Sequence, residues 1–391
     1  MAAIIKRDHD NILLVLQGGG ALGAYQAGVY EGLAEADYEP NWVTGVSIGA
    51  INAALIAGNP PARRVQRLRE FWNLVSSGLL ARPPAFHDGM HTLFNLVSSA
   101  ISAAVGVPGF YRPRVPFPAL MSDVHPAGLS LYDTQSLRET LERLVDFKLI
   151  NGRQMRLSVG AVNVQTGNSV YFDSARTLLG PEHVMASGAL PPAFASVEIG
   201  GERYWDGGLV SNTPLWYVLD DSPNLDGLIV QVDLFNASGE LPRTLDQVME
   251  RQKDITYSSK SRFNTSRLTE YQKLHHAFNR VLESLPEELR AHPDVKALDA
   301  MRHRPNIDIL HLINRRYGYT SSSKDNEFSR ATVDQLWALG LEEARHALAH
   351  FGELAASDAT EGIRRFDFLR QAEPPAGTIA ASSAGSSPYR R

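Results

Sequence analysis

Three short stretches carry the residue types that could do chemistry. The first is Gly18-Gly19-Gly20, which ends the aliphatic run Ile12 to Gln17. Consecutive glycines at a helix start expose backbone N–H donors with no side chain in the way, a fit for charge developing on a carbonyl oxygen. The second is Gly45-Val46-Ser47-Ile48-Gly49, in which a serine follows an apolar run and opens a helix. In such an elbow the small flanking residues permit a strained backbone angle, and the Ser47 hydroxyl stands out over the sheet edge as a nucleophile. The third is Asp206-Gly207-Gly208 at the end of a short strand pattern. Asp206 could take the serine proton, provided that apolar surroundings raise its pKa, since aspartate is ordinarily too weak a base. A donor loop, a nucleophile and a base suit acyl transfer.

Each stretch has another reading. Gly18-Gly19-Gly20-Ala21-Leu22-Gly23 satisfies the dinucleotide pattern G-x-G-x-x-G letter for letter. That pattern needs an acidic residue at the far end of the second strand. Asp37 and Glu39 precede the strand and its far end carries Ser47, so the nucleotide reading fails there. Ser47 could be incidental to a glycine turn, and Asp206 could belong to a surface Asp-Gly turn. A triad would draw on His303, His311, His346 or His350. None has a motif around it, and with His183 they read as structural or surface residues.

The elements that must hold these residues follow from periodicity. Ile12 to Gln17 reads as a strand buried on both faces, and Leu22, Tyr25, Val29 and Leu33 mark the helix after it. Trp42 to Thr44 and the alanine-rich Ala50 to Leu55 repeat the strand-turn-helix unit. Pro60 onward gives an amphipathic helix with Arg63, Arg64, Arg67 and Arg69 on one side, either a solvated face or a contact for an anionic membrane. Residues 78–128 are rich in proline and apolar side chains and read as a cap or lid, or as half-buried core helix. Thr134 starts a helix ending near Asn151-Gly152. Hairpins are expected around Gln165 to Asn168 and around Gly200-Gly201, with a short helix from Pro181 between them. Thr213-Pro214 opens another helix, and Leu228 to Phe235 is a further strand. The region 245–289 is helical with a break near 263–265, Ile307 to Ile313 is a strand, and Val333 to Phe351 marks a final helix. Residues 352–391, poor in large apolar side chains, are expected to form a mobile tail.

The chain has 391 residues, a formal charge of -5 and no cysteine. This excludes disulfides, thiolate metal sites and a cysteine nucleophile, and gives no nucleic-acid footprint. Lys6 to Asp10 leave no uncharged h-region before the first strand, which makes a cytoplasmic protein the expectation.

The blocks "GGGALGAY", "GVSIG", "ASGALPPAF" and "WDGG", in that order, resemble the patatin-like phospholipases over Ile12 to about Leu215. The resemblance implies a three-layer α/β/α sandwich with a mainly parallel central sheet, and lipid acyl hydrolase activity with no metal, no cofactor and no catalytic histidine. It implies Ser47 as nucleophile, Asp206 as base and Gly18, Gly19 and Gly20 as oxyanion donors, with Gly23, Gly45, Gly49, Gly207 and Gly208 supporting the turns. One α/β domain over 1–351 is expected, with core 11–235 and a C-terminal extension 236–351 like that of some bacterial members. The implied partner is a lipid or acyl-ester substrate, met at a membrane or lipid inclusion, and no nucleic acid. One departure stands out: many relatives carry Arg or Lys where this chain has Leu22. A soluble esterase, thioesterase or hydroxyalkanoate-ester hydrolase on the same dyad therefore remains open, as does a non-catalytic lipid-binding protein.

Overall fold

The computed structural model describes residues 11–78, 98–99, 101–114, 129–221, 226–258, 277, 280–286, 289, 292–299, 307–315, 323–357 and 363–368. The chain begins with β1 (Ile12–Leu16), a tight turn at Gly20–Gly23 and α1 (Ala24–Glu35). It repeats the unit with β2 (Trp42–Val46) and α2 (Ile48–Ala57), then adds α3 (Pro61–Val75). A two-stranded ribbon pairs β3 (Arg112–Pro113) with β4 (Tyr132–Asp133). The expected single helix from Thr134 is two helices, α4 (Gln135–Leu144) and α5 (Phe147–Asn151). Asp146 makes the break, because its carboxylate accepts from the backbone N–H groups of Lys148 (2.9 Å) and Leu149 (3.2 Å) and so caps a new helix.

Next come β5 (Arg156–Asn163), β6 (Ser169–Asp173), α6 (Pro181–Ser187), β7 (Val197–Ile199) and β8 (Glu202–Asp206). Gly200 and Gly201 join β7 to β8 with φ of 62° and 85°, the positive pair that a primed hairpin turn requires. The rest is α7 (Leu215–Asp221), β9 (Gly227–Asp233), α8 (Leu245–Tyr257), α9 (Pro293–Asp299), β10 (Ile307–Ile313), α10 (Arg330–Ser357) and β11 (Ile363–Phe366).

One sheet runs β11-β10-β9-β1-β2-β5-β8-β7, with β6 also on β5. The strands from β11 to β5 pair in parallel, and those beyond β5 are antiparallel. Alternation along β1 sorts the core into two layers. Leu14 and Leu16 pack with α1, α2, α3 and α10, whereas Leu13 and Val15 pack with Leu215 and Val218 of α7. This is a three-layer α/β/α sandwich with a mostly parallel sheet. Successive strands add to opposite sides of β1, so the carboxyl ends of β1, β2 and β9 meet where α/β sheets open a crevice.

The C-terminal part adds to this sheet. Helix α10 lies so close on α1 that a Cβ on Gly28 would be 2.0 Å from the Trp337 carbonyl oxygen, and one on Gly340 would be 2.1 Å from that of Tyr25. The expected tail from residue 352 is corrected here, since α10 continues to Ser357 and β11 pairs in parallel with β10. The arginines in β11 hid it, and they are matched inside the fold. Arg364 is held bidentately by Asp308 at 2.6 and 2.7 Å, and Arg365 bonds His311. Residues beyond 368, the expected break at 263–265 and much of the expected cap (79–97, 100 and 115–128) lie outside the described residues.

Candidate active site

Ser47 sits between β2 and α2 with φ 55° and ψ −124°, a strained conformation for a residue with a side chain. Its neighbours have no room for one. A Cβ on Gly45 would lie 2.3 Å from the Gly49 carbonyl oxygen, and one on Gly49 would lie 2.4 Å from that of Leu16. The turn is also tied from outside. The Ser47 N–H donates to both the carbonyl and the Oγ of Ser187 at 3.1 Å, and the Ser187 hydroxyl donates to the Gly160 carbonyl at 2.6 Å. Ser187 belongs to the "ASG" block at the end of α6, so that block fixes the elbow.

Asp206 ends β8 and is 2% exposed. Its Oδ1 accepts from the Gly208 N–H at 2.7 Å, and its carboxylate also accepts from the Ser47 hydroxyl. Burial pushes its pKa up to about 7, against the smaller lowering effect of those two hydrogen bonds. A Cβ on Gly207 would fall 2.6 Å from the Gly160 carbonyl, and one on Gly208 would fall 3.1 Å from Asp206 Oδ1. Both glycines let the chain close over the carboxylate.

The glycine loop lies against the elbow, since a Cβ on Gly18 would be 3.1 Å from that of Ser47 and one on Gly23 would be 2.5 Å from Ile48 Cγ1. The expected oxyanion role of Gly18 is corrected by its bonding: its N–H already donates to the Asn212 carbonyl at 3.2 Å. Peptide pairing still continues at this point, because the Gln17 N–H reaches the Val232 carbonyl one residue earlier. Among the described residues no protein acceptor takes the N–H of Gly19 or Gly20. Gly20 has φ 56°, and a Cβ there would fall 2.1 Å from the Asp325 carbonyl oxygen.

Four residues to which the sequence assigned no role hold this arrangement. The Asn212 amide donates to the carbonyls of Gly18 (3.1 Å) and Tyr257 (2.8 Å). Gln17, fully buried, accepts from the N–H groups of Leu234 (2.6 Å) and Phe235 (2.9 Å) and donates to the Thr213 hydroxyl (2.8 Å). Ser187 is the third, and Asp325 is the fourth. The turn carrying Asp325 is fastened to α8, with Lys253 on Asp325 at 2.7 Å and Lys324 on Glu250 at 3.0 Å and Asp254 at 2.7 Å.

Ser47, Asp206 and the three glycines line one cavity of about 190 Å³. Its walls are largely apolar, with Ile48, Ile51, Leu190, Ala193 and Phe235 joined by an aromatic cluster. Phe110 lies 5.9 Å from both Phe194 and Phe328, and Tyr111 lies 5.3 Å from Phe194 and 4.8 Å from Tyr132. Phe194 is in the lining, and Trp205, the residue before Asp206, is outside it. Among the described residues that line the cavity, Asp206 and Asp325 are the charged ones. Leu22 is buried in the core.

The histidines stand elsewhere. His311 bonds Asp233 at 2.7 Å within the sheet, His183 accepts from the Gly180 N–H at 3.0 Å, and His346 and His350 are exposed on α10. His303 lies outside the described residues.

An α/β/α sandwich with a strained serine turn bonded to a buried aspartate defines a class of fold and site. A family model described as patatin-like phospholipase matches residues 14–219, and one described as patatin phospholipase matches residues 255–360. The chain belongs to the patatin-like phospholipase family, which implies a hydrolase of lipid esters. No curated protein matches it. VipD from Legionella pneumophila is similar in structure at a TM-score of 0.40 and 16% identity, over 88% of this chain and 67% of that one. The type III effector ExoU gives a TM-score of 0.29 at 14% identity, over 87% of this chain and 53% of its own. A structure of SpcU in complex with ExoU from Pseudomonas aeruginosa gives 0.25 at 16% identity, over 85% and 77% of the two chains.

Proposed function

We propose that this protein is a serine acyl hydrolase that cleaves carboxylic esters of fatty acids with a Ser47–Asp206 dyad. The observation that carries the reading is that Ser47 in its strained turn and the 2% exposed Asp206 line one cavity, where burial pushes the Asp206 pKa up to about 7 and the Ser47 side chain is one of its partners. A base poised near neutrality combines a sizeable ionised fraction with a real affinity for the proton.

In the proposed cycle Asp206 takes the Ser47 proton as Oγ attacks the ester carbonyl carbon. The carbonyl oxygen becomes an oxyanion, and the Gly19 and Gly20 N–H groups, which no protein acceptor takes among the described residues, hold it. Collapse breaks the ester bond, the leaving alkoxide takes the proton from Asp206, and the acyl group stays on Ser47. Water, deprotonated by Asp206, then attacks the acyl-enzyme, releasing the fatty acid and restoring the serine. The substrate is taken from a lipid surface, a reading supported by the exposed Leu209 and Val210 directly after Gly208.

A second reading, neutral esters in preference to phospholipids, is favoured by one observation. No lysine or arginine among the described residues lines the cavity, and Leu22 is buried in place of a cation. Hydrolysis of p-nitrophenyl octanoate and of phosphatidylcholine vesicles by wild type, Ser47→Ala and Asp206→Asn tests both readings. The dyad requires wild-type turnover and loss of roughly a thousandfold or more in each variant. Wild-type activity in both variants would reject it. The ester-to-vesicle ratio separates the two substrate classes.

A further inference from the structure

A second cavity, of about 360 Å³, lies beside the first. The two share the side chains of Tyr111 and Phe328, which are 5% and 4% exposed. Its other walls are mainly Val75, Ile101, Val105, Val107 and Pro108, with Arg112 at an exposed position. Ser136 also lines it, and among the described residues the buried Ser136 hydroxyl has no hydrogen-bond partner. Nothing in the dyad chemistry uses this space.

We propose that the second cavity is the site for the distal part of a long acyl chain, and that Tyr111 and Phe328 form the partition the chain must displace to enter it. This rests on the acyl-hydrolase reading of the first cavity. An aliphatic tail is the occupant that the walls favour, because they offer apolar surface and almost no charge. Continuity with the first cavity sets the direction: a chain whose ester carbon sits at Ser47 meets the aromatic cluster first and then the partition.

The partition stands on two separately anchored segments. Tyr111 is presented by a turn closed by the Val107 N–H on the Tyr111 carbonyl at 2.8 Å and the Phe110 N–H on the Val107 carbonyl at 3.0 Å. The Thr140 hydroxyl pins that turn at the Gly109 carbonyl, 2.8 Å away, and a Cβ on Gly109 would fall 2.2 Å from Leu74 Cδ2. Phe328 comes from the C-terminal extension. It is flanked by Glu327, which accepts from the Ser98 hydroxyl and from the Ser329 N–H at 3.1 Å. With the Tyr111 turn pinned, the easier opening is a rotation of the Phe328 ring, which touches the cluster edge-on at Phe110. Phe328 therefore sets the chain length that the enzyme prefers.

The test is the ratio of kcat/KM for p-nitrophenyl palmitate to that for the butyrate, measured on the full chain as wild type, Phe328→Ala and Ser136→Leu. Each methylene newly buried is worth about fourfold. Phe328→Ala opens the partition and raises the ratio by roughly tenfold or more. Ser136→Leu fills the second cavity without breaking a hydrogen bond of that hydroxyl, and lowers the ratio by a similar factor. Equal ratios in all three proteins, or shifts in the same direction, would overturn the proposal. If the wild type hydrolyses no ester, the hydrolase reading fails by itself and fatty-acid binding decides the matter. Binding of cis-parinaric acid to the Ser47→Ala protein is then expected to weaken on adding Ser136→Leu and to tighten on adding Phe328→Ala. Equal affinity in all three would reject the chain site.

Discussion

At the scale of the residue, Asp206 has the most to show in solution. Its pKa is raised from 3.8 to about 7 chiefly by burial, so the ionised form that accepts the Ser47 proton grows in through neutrality. kcat/KM is expected to rise with pH to a plateau, with a half-maximum near pH 7. A profile already flat from mildly acidic pH would contradict it. Stability moves the other way. The raised pKa means that the folded state holds a proton the unfolded state has released. That contribution is full below the unfolded value of 3.8 and is lost as pH rises through about 7. The span is roughly three pKa units, worth at most about 4 kcal/mol. Asp206→Asn, neutral throughout, is therefore expected to gain melting temperature relative to wild type as pH increases across this window. Parallel melting curves for the two proteins across that pH range would contradict the buried, raised carboxyl.

At the scale of the element, the two strand-turn-helix units were legible because steric demands on glycine leave a mark in the sequence. Gly45 and Gly49 have backbone oxygens where a side chain would start, so no other residue fits, and the Gly-x-Ser-x-Gly spacing appears directly. The paired aliphatic runs likewise told of strands buried on both faces. What holds the turns was not legible, because Gln17, Ser187 and Asn212 act through ordinary hydrogen bonds that many polar residues make. The committed N–H of Gly18 was hidden for the same reason, since its acceptor is 194 positions away in the chain. Ser187→Ala removes the hydroxyl that links the Ser47 N–H to Gly160 but keeps the Ser187 carbonyl. It is expected to lower kcat by about tenfold with little change in KM, since the elbow loosens and the cavity walls stay. A rise in KM at constant kcat would place Ser187 in substrate binding instead. Gly49→Ala, by contrast, is expected to abolish activity and to lower thermal stability.

At the scale of the whole molecule, the C-terminal extension is part of the site rather than an appendage. It completes the sheet with β10 and β11, lays α10 on α1, and brings Asp325, Asn326 and Phe328 to the cavity. Its turn is fixed by Lys324, whose side chain is 11% exposed between Glu250 and Asp254. Breaking such a pair costs about 3–5 kcal/mol when it is fully buried, and less at this exposure. Because the same turn sets the Asp325 carbonyl against Gly20, Lys324→Ala is expected to reduce kcat as well as melting temperature, and Lys324→Arg to restore most of both. A variant that loses stability but keeps its kcat would separate the extension from the oxyanion loop. The strand Ile307 to Ile313 and the last helix could be read from the chain, but this turn could not, since Lys324 and Asp325 stand in a short charged stretch without periodicity. No helix among the described residues is long and apolar enough to cross a membrane.

The central claim is that Ser47 is a nucleophile activated by Asp206, and a fluorophosphonate tests it most directly. Attack by Oγ on phosphorus expels fluoride and leaves a stable adduct that intact-protein mass spectrometry detects. The account expects one adduct on the wild type, mapped to Ser47, none on Ser47→Ala, and labelling slowed by roughly a hundredfold or more on Asp206→Asn. An adduct that persists in Ser47→Ala, or labelling of Asp206→Asn at the wild-type rate, would contradict it.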